Sequence, residues 1–361
     1  VGLYSSLARP LVFRLPAEAS HGLAVASLQA GPFWSLAGPL LSAGAGGRPA
    51  DICGVRVPNA VGIAAGFDKD CRVVGPLLAI GFGFATAGTV TRGPRPGNAR
   101  PRLLRDTRAR AIVNSMGFPG RGLDAAERRL RTLNAGQRSR TFVSISGTVD
   151  DEVVECHARL EPLVCGVEVN ISSPNTAGLR VYQEPGRLRQ LVTRLASTAR
   201  KPLLIKLPRG DWDGEGRTGG GGGRDRTGGG GGGVHDGGGG GDETARVLAL
   251  ARAAVDAGAR GLVVANTRPV ADARLAAGRG GLSGAPLFDS TLRLVEAVRR
   301  AVPAGVSVVG CGGVFSGRDA ARLIDAGASG VQLYTAFVYE GPGLPGRIAR
   351  HLARRQYRAR R

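Results

Sequence analysis

The chain has 361 residues, 42% hydrophobic but only 5% aromatic, enough for one large domain packed by aliphatic side chains and alanine. Its net charge of +21 is almost wholly arginine, since lysine occurs only at Lys69, Lys201 and Lys206, and it favours an anionic partner. The scattered cysteines include no Cys-x-x-Cys pair and the histidines show no ligand spacing, so neither a disulfide framework nor a zinc site is suggested and no metal is expected.

In chain order, residues 1–45 form an appendage. Leu3, Leu7 and Leu11 recur at helical spacing beside Arg9 and Arg14, and a second apolar group runs from Leu23 to Leu41. The pattern predicts two or three short amphipathic helices, lying either in a membrane interface or as a cap on the main domain. His21 reads as a packing or capping residue of this region. The uncharged stretch Leu23–Gly47 is broken by Pro32 and Pro39, whereas a membrane span wants about 20 predominantly apolar residues.

Residues 46–361 read as the main domain. Strand-like runs fall at Val61–Ala65, Phe84–Thr89, Phe142–Ile145, Val167–Ile171, Leu203–Leu207, Gly261–Ala265, Val306–Gly310 and Gly330–Leu333. Helical patterns separate them, among them Ala125–Leu133, Ala245–Ala257, Thr291–Val302 and Arg318–Ala326. Strands alternating with helices predict an α/β fold, a (β/α)8 TIM barrel, with an open doubly wound sheet as the alternative. Residues 214–241 are a low-complexity, glycine-rich insertion after the fifth strand. It cannot bury enough apolar area to offset its ordering entropy, and no Gly-Lys-Ser/Thr follows to make it a phosphate loop.

Barrel chemistry sits at the C-terminal strand ends, and the unusual polar residues fall there repeatedly. Ala65-Gly66-Phe67-Asp68-Lys69 follows the first strand and Thr89 ends the second, with Asn114-Ser115-Met116-Gly117-Phe118 in the long loop beyond it. Lys206 ends the fifth strand, Asn266-Thr267 the sixth, Gly312-Gly313 the seventh and Tyr334-Thr335 the eighth. The last two tips suit a phosphate, because backbone N–H groups approach an anion closely where there is no Cβ. Lys206 can set positive charge inside the barrel mouth. After the fourth strand, Val169 to Arg180 reads Val-Asn-Ile-Ser-Ser-Pro-Asn-Thr-Ala-Gly-Leu-Arg. Its asparagines can hold a planar, imide-like ligand, and a serine between them can move a proton.

That run resembles the dihydroorotate dehydrogenases, and the likeness extends from Pro58 to about Ile348. It includes Ala64–Asp70, Gly88-Thr89-Val90-Thr91, Pro96-Gly97-Asn98, Pro101-Arg102, Asn114–Phe118, Asn266-Thr267, Gly280–Gly284 and Gly310–Gly313. The resemblance implies oxidation of dihydroorotate to orotate in pyrimidine (UMP) biosynthesis, with FMN as cofactor. It makes Ser173 the base that takes the substrate's C5 proton. Serine at this position is similar to the membrane-associated, quinone-using class, where the soluble classes carry cysteine. By the same likeness Lys69, Asn114, Ser115, Met116, Gly117, Phe118, Asn175, Asn266 and Thr267 hold the substrate. Ala65, Gly66, Phe67, Asp68, Lys69, Thr89, Asn170, Lys206, Gly284, Gly313, Tyr334 and Thr335 hold FMN. The appendage then sits on an anionic membrane surface, peripheral to the cytoplasmic face of the cell membrane, and guides quinone to the flavin.

The chain departs from the family pattern at several points. Ala265 stands where threonine is usual, and Pro119 replaces an asparagine. Ser144–Thr148 replaces an Asn-Ile-Gly-Lys-like run, and Lys206-Leu207-Pro208-Arg209 lacks the usual Pro-Asp. Three other readings compete: a soluble relative using fumarate or NAD, an RNA-binding flavin barrel of the dihydrouridine synthase type, and a degenerate barrel that binds without turnover. Neither a nucleic acid nor an obligate protein partner is expected for the leading reading.

Overall fold

The computed structural model describes residues 4–30, 33, 34, 38, 49–172, 178–209 and 239–358. Most of the glycine-rich insertion and the Ser173–Ala177 segment fall outside these, as does most of residues 31–48; the last three residues of the insertion, Gly239–Gly241, open the helix Gly239–Asp256.

Eight parallel strands close into a barrel in sequential order. They are β1 (Val61–Ile63), β2 (Phe84–Val90), β3 (Thr141–Ile145), β4 (Gly166–Asn170), β5 (Leu203–Lys206), β6 (Gly261–Val264), β7 (Ser307–Cys311) and β8 (Gly330–Leu333). Nearly every residue in them is buried, as parallel strands covered on both faces require. The closed ring replaces the open-sheet alternative. Helices cover its outside by stripes of aliphatic residues. In Phe288–Ala301, for example, Leu294, Val295 and Val298 are at most 3% exposed, each worth about 1.5–3 kcal/mol of burial.

The bottom of the barrel is plugged by an antiparallel hairpin, Ala50–Ile52 with Val55–Val57. Ile52 and Val57 pack with the inward-facing Phe84, Phe142, Leu204, Val263 and Val309. Gly62 and Gly330 make room for them: a Cβ would stand 2.3 Å from Phe84 and 2.8 Å from Ile52.

At the top, two excursions from the barrel meet in an antiparallel sheet that the sequence pattern did not reveal. Its order is Arg268–Ala271, Arg279–Gly284, Ala111–Asn114 and Leu103–Asp106. Asn114 therefore ends a strand rather than lying in a loop, in register with Gly281.

The appendage forms a π-helical turn Tyr4–Ala8, a short helix Arg9–Val12 and a longer helix Ala17–Gln29. It grips the barrel top through specific bonds. Tyr4 donates to the Val338 carbonyl at 2.9 Å, and the Phe13 ring lies edge-on to Tyr339. Arg105 stacks over Phe13 and donates to the Leu15 carbonyl. Glu18 pairs with the buried Arg102 at 2.6 Å. Leu7, Leu11, Leu15, Leu23 and Phe33 remain exposed, the first two by more than 60%. The appendage is thus both cap and apolar outer face. No helix among the described residues is long and apolar enough to cross a membrane.

Candidate active site

One cavity opens at the C-terminal end of the barrel, with about 1230 Å³ of empty space including its open mouth. That volume suits a small-molecule cofactor together with a substrate. β1 delivers Ala65, Gly66 and Lys69 to its wall, β2 delivers Thr89, and β4 delivers Asn170. Lys206, Asn266 and Thr267 come from β5 and β6, Gly313 from β7, and Tyr334 and Thr335 from β8. The antiparallel sheet and its adjoining loop add Asn114, Met116, Gly117, Phe118 and Gly284. Phe67, Asp68 and Ser115 do not line it. Phe67 is core, edge-on to Tyr334 and Phe337. The Asp68 carboxylate accepts the backbone N–H groups of Arg72 and Val73 at 2.6 and 2.8 Å, fixing the loop that carries Lys69. Ser115 is buried with an unbonded hydroxyl. Ser173 and Asn175 lie outside the described residues.

A hydrogen-bond chain crosses the strand tips. Ser144 and Thr89 share a 3.0 Å bond, and the Asn170 amide reaches Thr89 at 3.5 Å. The Asn170 Oδ1 accepts both the backbone N–H and the hydroxyl of Ser172 at 3.1 Å. The Asn266 amide donates to that hydroxyl at 2.9 Å, and Asn266 Oδ1 accepts the Thr267 N–H at 2.8 Å. Each member locks the rotamer of the next, so the amides meet a ligand already oriented. Ser144, one of the departures from the family pattern, is absorbed into this chain.

The two lysines differ in kind. Lys206 is buried and lines the cavity, yet it makes no hydrogen bond or ion pair among the described residues. Gln332, which also lines the cavity, has an unbonded Oε1. Buried polar groups left open in this way fit a polar ring edge. Lys69 instead meets His21 Nε2 of the appendage at 3.2 Å. Desolvation, partly offset by Glu18, pushes the Lys69 ammonium down to about 8. Burial and the Lys69 charge hold the His21 imidazole neutral, near 3.

At the far end Gly313 has φ +76°, and a Cβ there would stand 2.4 Å from the Phe288 nitrogen. Gly284, at φ +111°, has no room for one beside the Arg110 carbonyl. Ser283 and Thr335 share a 2.8 Å hydroxyl bond next to them. Glycine backbone and hydroxyls without a lining carboxylate suit a phosphate.

Several cavity residues were not singled out from the sequence. Leu103 and Ile112 arrive from the unforeseen sheet and Gln332 from the interior of β8, while Ser283 and Cys311 stand in the family-like segments Gly280–Gly284 and Gly310–Gly313 without an assigned role. His21 was foreseen only as packing, although its helical spacing from Glu18 does place both on one face.

Amides, hydroxyls and two lysines converging on the mouth of a closed (β/α)8 barrel define a barrel enzyme with a preformed polar site. A family model described as dihydroorotate dehydrogenase matches residues 49–211 and 251–355, the gap enclosing the whole glycine-rich insertion. The "Dihydroorotate dehydrogenase (quinone)" of Erythrobacter litoralis is 37% identical, over 97% of this chain and 94% of that protein. The Stenotrophomonas maltophilia protein of the same name is 35% identical, over 97% and 96%. The ligand-free DHODH structure from Eimeria tenella superposes with a TM-score of 0.71 at 28% identity, over 86% of this chain and 88% of that one. The chain belongs to the dihydroorotate dehydrogenase family. Membership implies a flavin cofactor.

Proposed function

We propose that this chain oxidises dihydroorotate to orotate in pyrimidine biosynthesis, with FMN as its cofactor and a membrane quinone as electron acceptor. The observation that carries the reading is Lys206, unpartnered among the described residues, on the wall of a cavity that is also lined by Gly284, Gly313 and Thr335. That polarity fits FMN, with Lys206 and Gln332 at the ring and the glycine backbone at the phosphate. Bound there, FMN would supply the hydride acceptor.

The protein's own groups do the rest. Lys69 pairs with the substrate carboxylate, while Asn114 and Asn266 hold the edge of its ring. Ser173, the residue after Ser172, takes the C5 proton. The exposed Leu7, Leu11, Leu15, Leu23 and Phe33, with Arg9 and Arg14, rest the appendage on an anionic bilayer from the cytoplasmic face. The helix Ala17–Gln29 brings His21 to Lys69 and so joins that membrane face to the cavity. Residues 1–45 then act as the membrane and quinone extension, and residues 46–361 as the FMN barrel.

The test is a visible spectrum of the purified protein. Flavin absorbance should bleach with dihydroorotate under anaerobic conditions and return with a quinone. Return with fumarate or NAD alone would replace the quinone reading by the soluble one.

Lys69 gives the site a pH signature. Its ammonium persists below a pKa of about 8 and is lost above it. Orotate affinity should therefore be flat in mildly acidic and neutral solution and fall by up to about tenfold per pH unit above 8. The guanidinium of a Lys69→Arg variant stays charged throughout, so its profile should remain flat in a fluorescence titration with orotate. Identical profiles would remove Lys69 from carboxylate binding.

A further inference from the structure

Arg209, just beyond β5, is 6% exposed. Its Nε donates to the Asn266 carbonyl at 3.1 Å, Nη1 to the Ser290 hydroxyl at 2.8 Å and Nη2 to the Thr291 hydroxyl at 2.7 Å. Each of these acceptors is neutral, and among the described residues no carboxylate pairs with it. The comparably buried Arg102, by contrast, is paired with Glu18. Desolvation accordingly draws the Arg209 guanidinium down to about 10. A buried charge with only neutral partners is costly unless a counter-charge arrives.

Two further observations say where that counter-charge belongs. Ser290 and Thr291 lie in the first turn of the helix Phe288–Ala301. That is the positive end of the helix, where a cation is disfavoured and an anion is favoured. Gly312 packs directly on the guanidinium, since a Cβ there would stand 2.7 Å from Nη2. Gly312 and Gly313 themselves line the cavity. The cations on the cavity wall among the described residues are Lys69 and Lys206, which serve the substrate carboxylate and the ring in the reading above.

We propose that Arg209 is a positioning residue for the cofactor's phosphate, its guanidinium supplying from behind Gly312-Gly313 the positive charge that the cavity wall lacks at that end. The inference rests on the flavin reading and adds an electrostatic anchor at the point where this chain departs from the family's Pro-Asp.

The experiment titrates flavin-free protein with FMN and with riboflavin, which has the same ring and no phosphate. Arg209→Met should weaken FMN about tenfold or more while riboflavin stays within about twofold, and Arg209→Lys should lie nearer the wild type. Equal weakening of both ligands would make Arg209 a structural clamp on Asn266 and overturn the proposal, as would unchanged FMN affinity. Arg209→Gln, which keeps hydrogen-bonding capacity, guards against misfolding of the methionine variant: its preference for FMN over riboflavin must also fall, and an unchanged preference refutes the anchor. Wild-type protein that bound neither flavin would sink the cofactor reading itself. That result is distinct from one in which both flavins bind and the preference ignores residue 209.

Discussion

Replacing Ser173 with alanine is expected to leave the flavin bound and to slow its reduction by dihydroorotate about 10²–10⁴-fold, the usual contribution of a positioned base. The neighbouring serine makes the prediction discriminating. Ser172 is buried, and its hydroxyl is committed to Asn170 Oδ1 at 3.1 Å and to the Asn266 amide at 2.9 Å. A hydroxyl so engaged is a structural link, and its removal in Ser172→Ala should cost roughly one neutral hydrogen bond, about tenfold or less. Single-turnover stopped-flow reduction of both variants separates the two roles. Equal rates, or a slower Ser172→Ala, would take the base role from Ser173. Ser173→Cys should retain part of the rate with its pH optimum shifted, because a thiol ionises near pH 8.5.

Removing residues 1–45 is expected to abolish sedimentation with anionic vesicles and to slow quinone reoxidation by about tenfold or more, since a docked acceptor becomes a free one. The exposed leucines at positions 7, 11, 15 and 23 and Phe33 go with the truncation, and so does their lipid contact. In sequence the substrate site and this appendage are separate, since every strand-tip residue lies after Pro58. The structure makes the two interdependent. Glu18 is the partner of Arg102, which also holds the Pro96 and Asn98 carbonyls at 2.7 and 3.0 Å, and His21 touches Lys69. Truncation should therefore also let water reach Lys69 and lift its ammonium from about 8 toward its ordinary value of 10.5. The orotate pH profile then breaks at a higher pH. Stopped-flow reoxidation, vesicle sedimentation and an orotate titration measure the three effects. Unchanged quinone rates and sedimentation would refute the membrane role, and an unchanged pH break would refute the coupling through His21.

Much of the architecture was already fixed by local pattern. The apolar runs that become β1 to β8 are short, bounded by turn residues and separated by helical periodicity, and parallel strands tolerate no polar face, so composition alone marks them. Lys69, Thr89, Asn170, Lys206 and Asn266 were legible for the complementary reason: a polar residue that ends an apolar strand has nowhere to go but the barrel mouth. Tertiary structure decided the rest. Leu103–Asp106 and Arg279–Gly284 have little strand character of their own, the latter being half glycine, and only pairing through Ala111–Asn114 makes them a sheet. Glu18 and His21 read as ordinary polar positions on a helix until that helix is laid across the loop after β1. Arg209 read as one more arginine in an arginine-rich chain. Its burial against Gly312, Ser290 and Thr291 depends on strands and a helix far apart in sequence, and burial is what turns an ordinary solvated charge into one that requires a counter-charge.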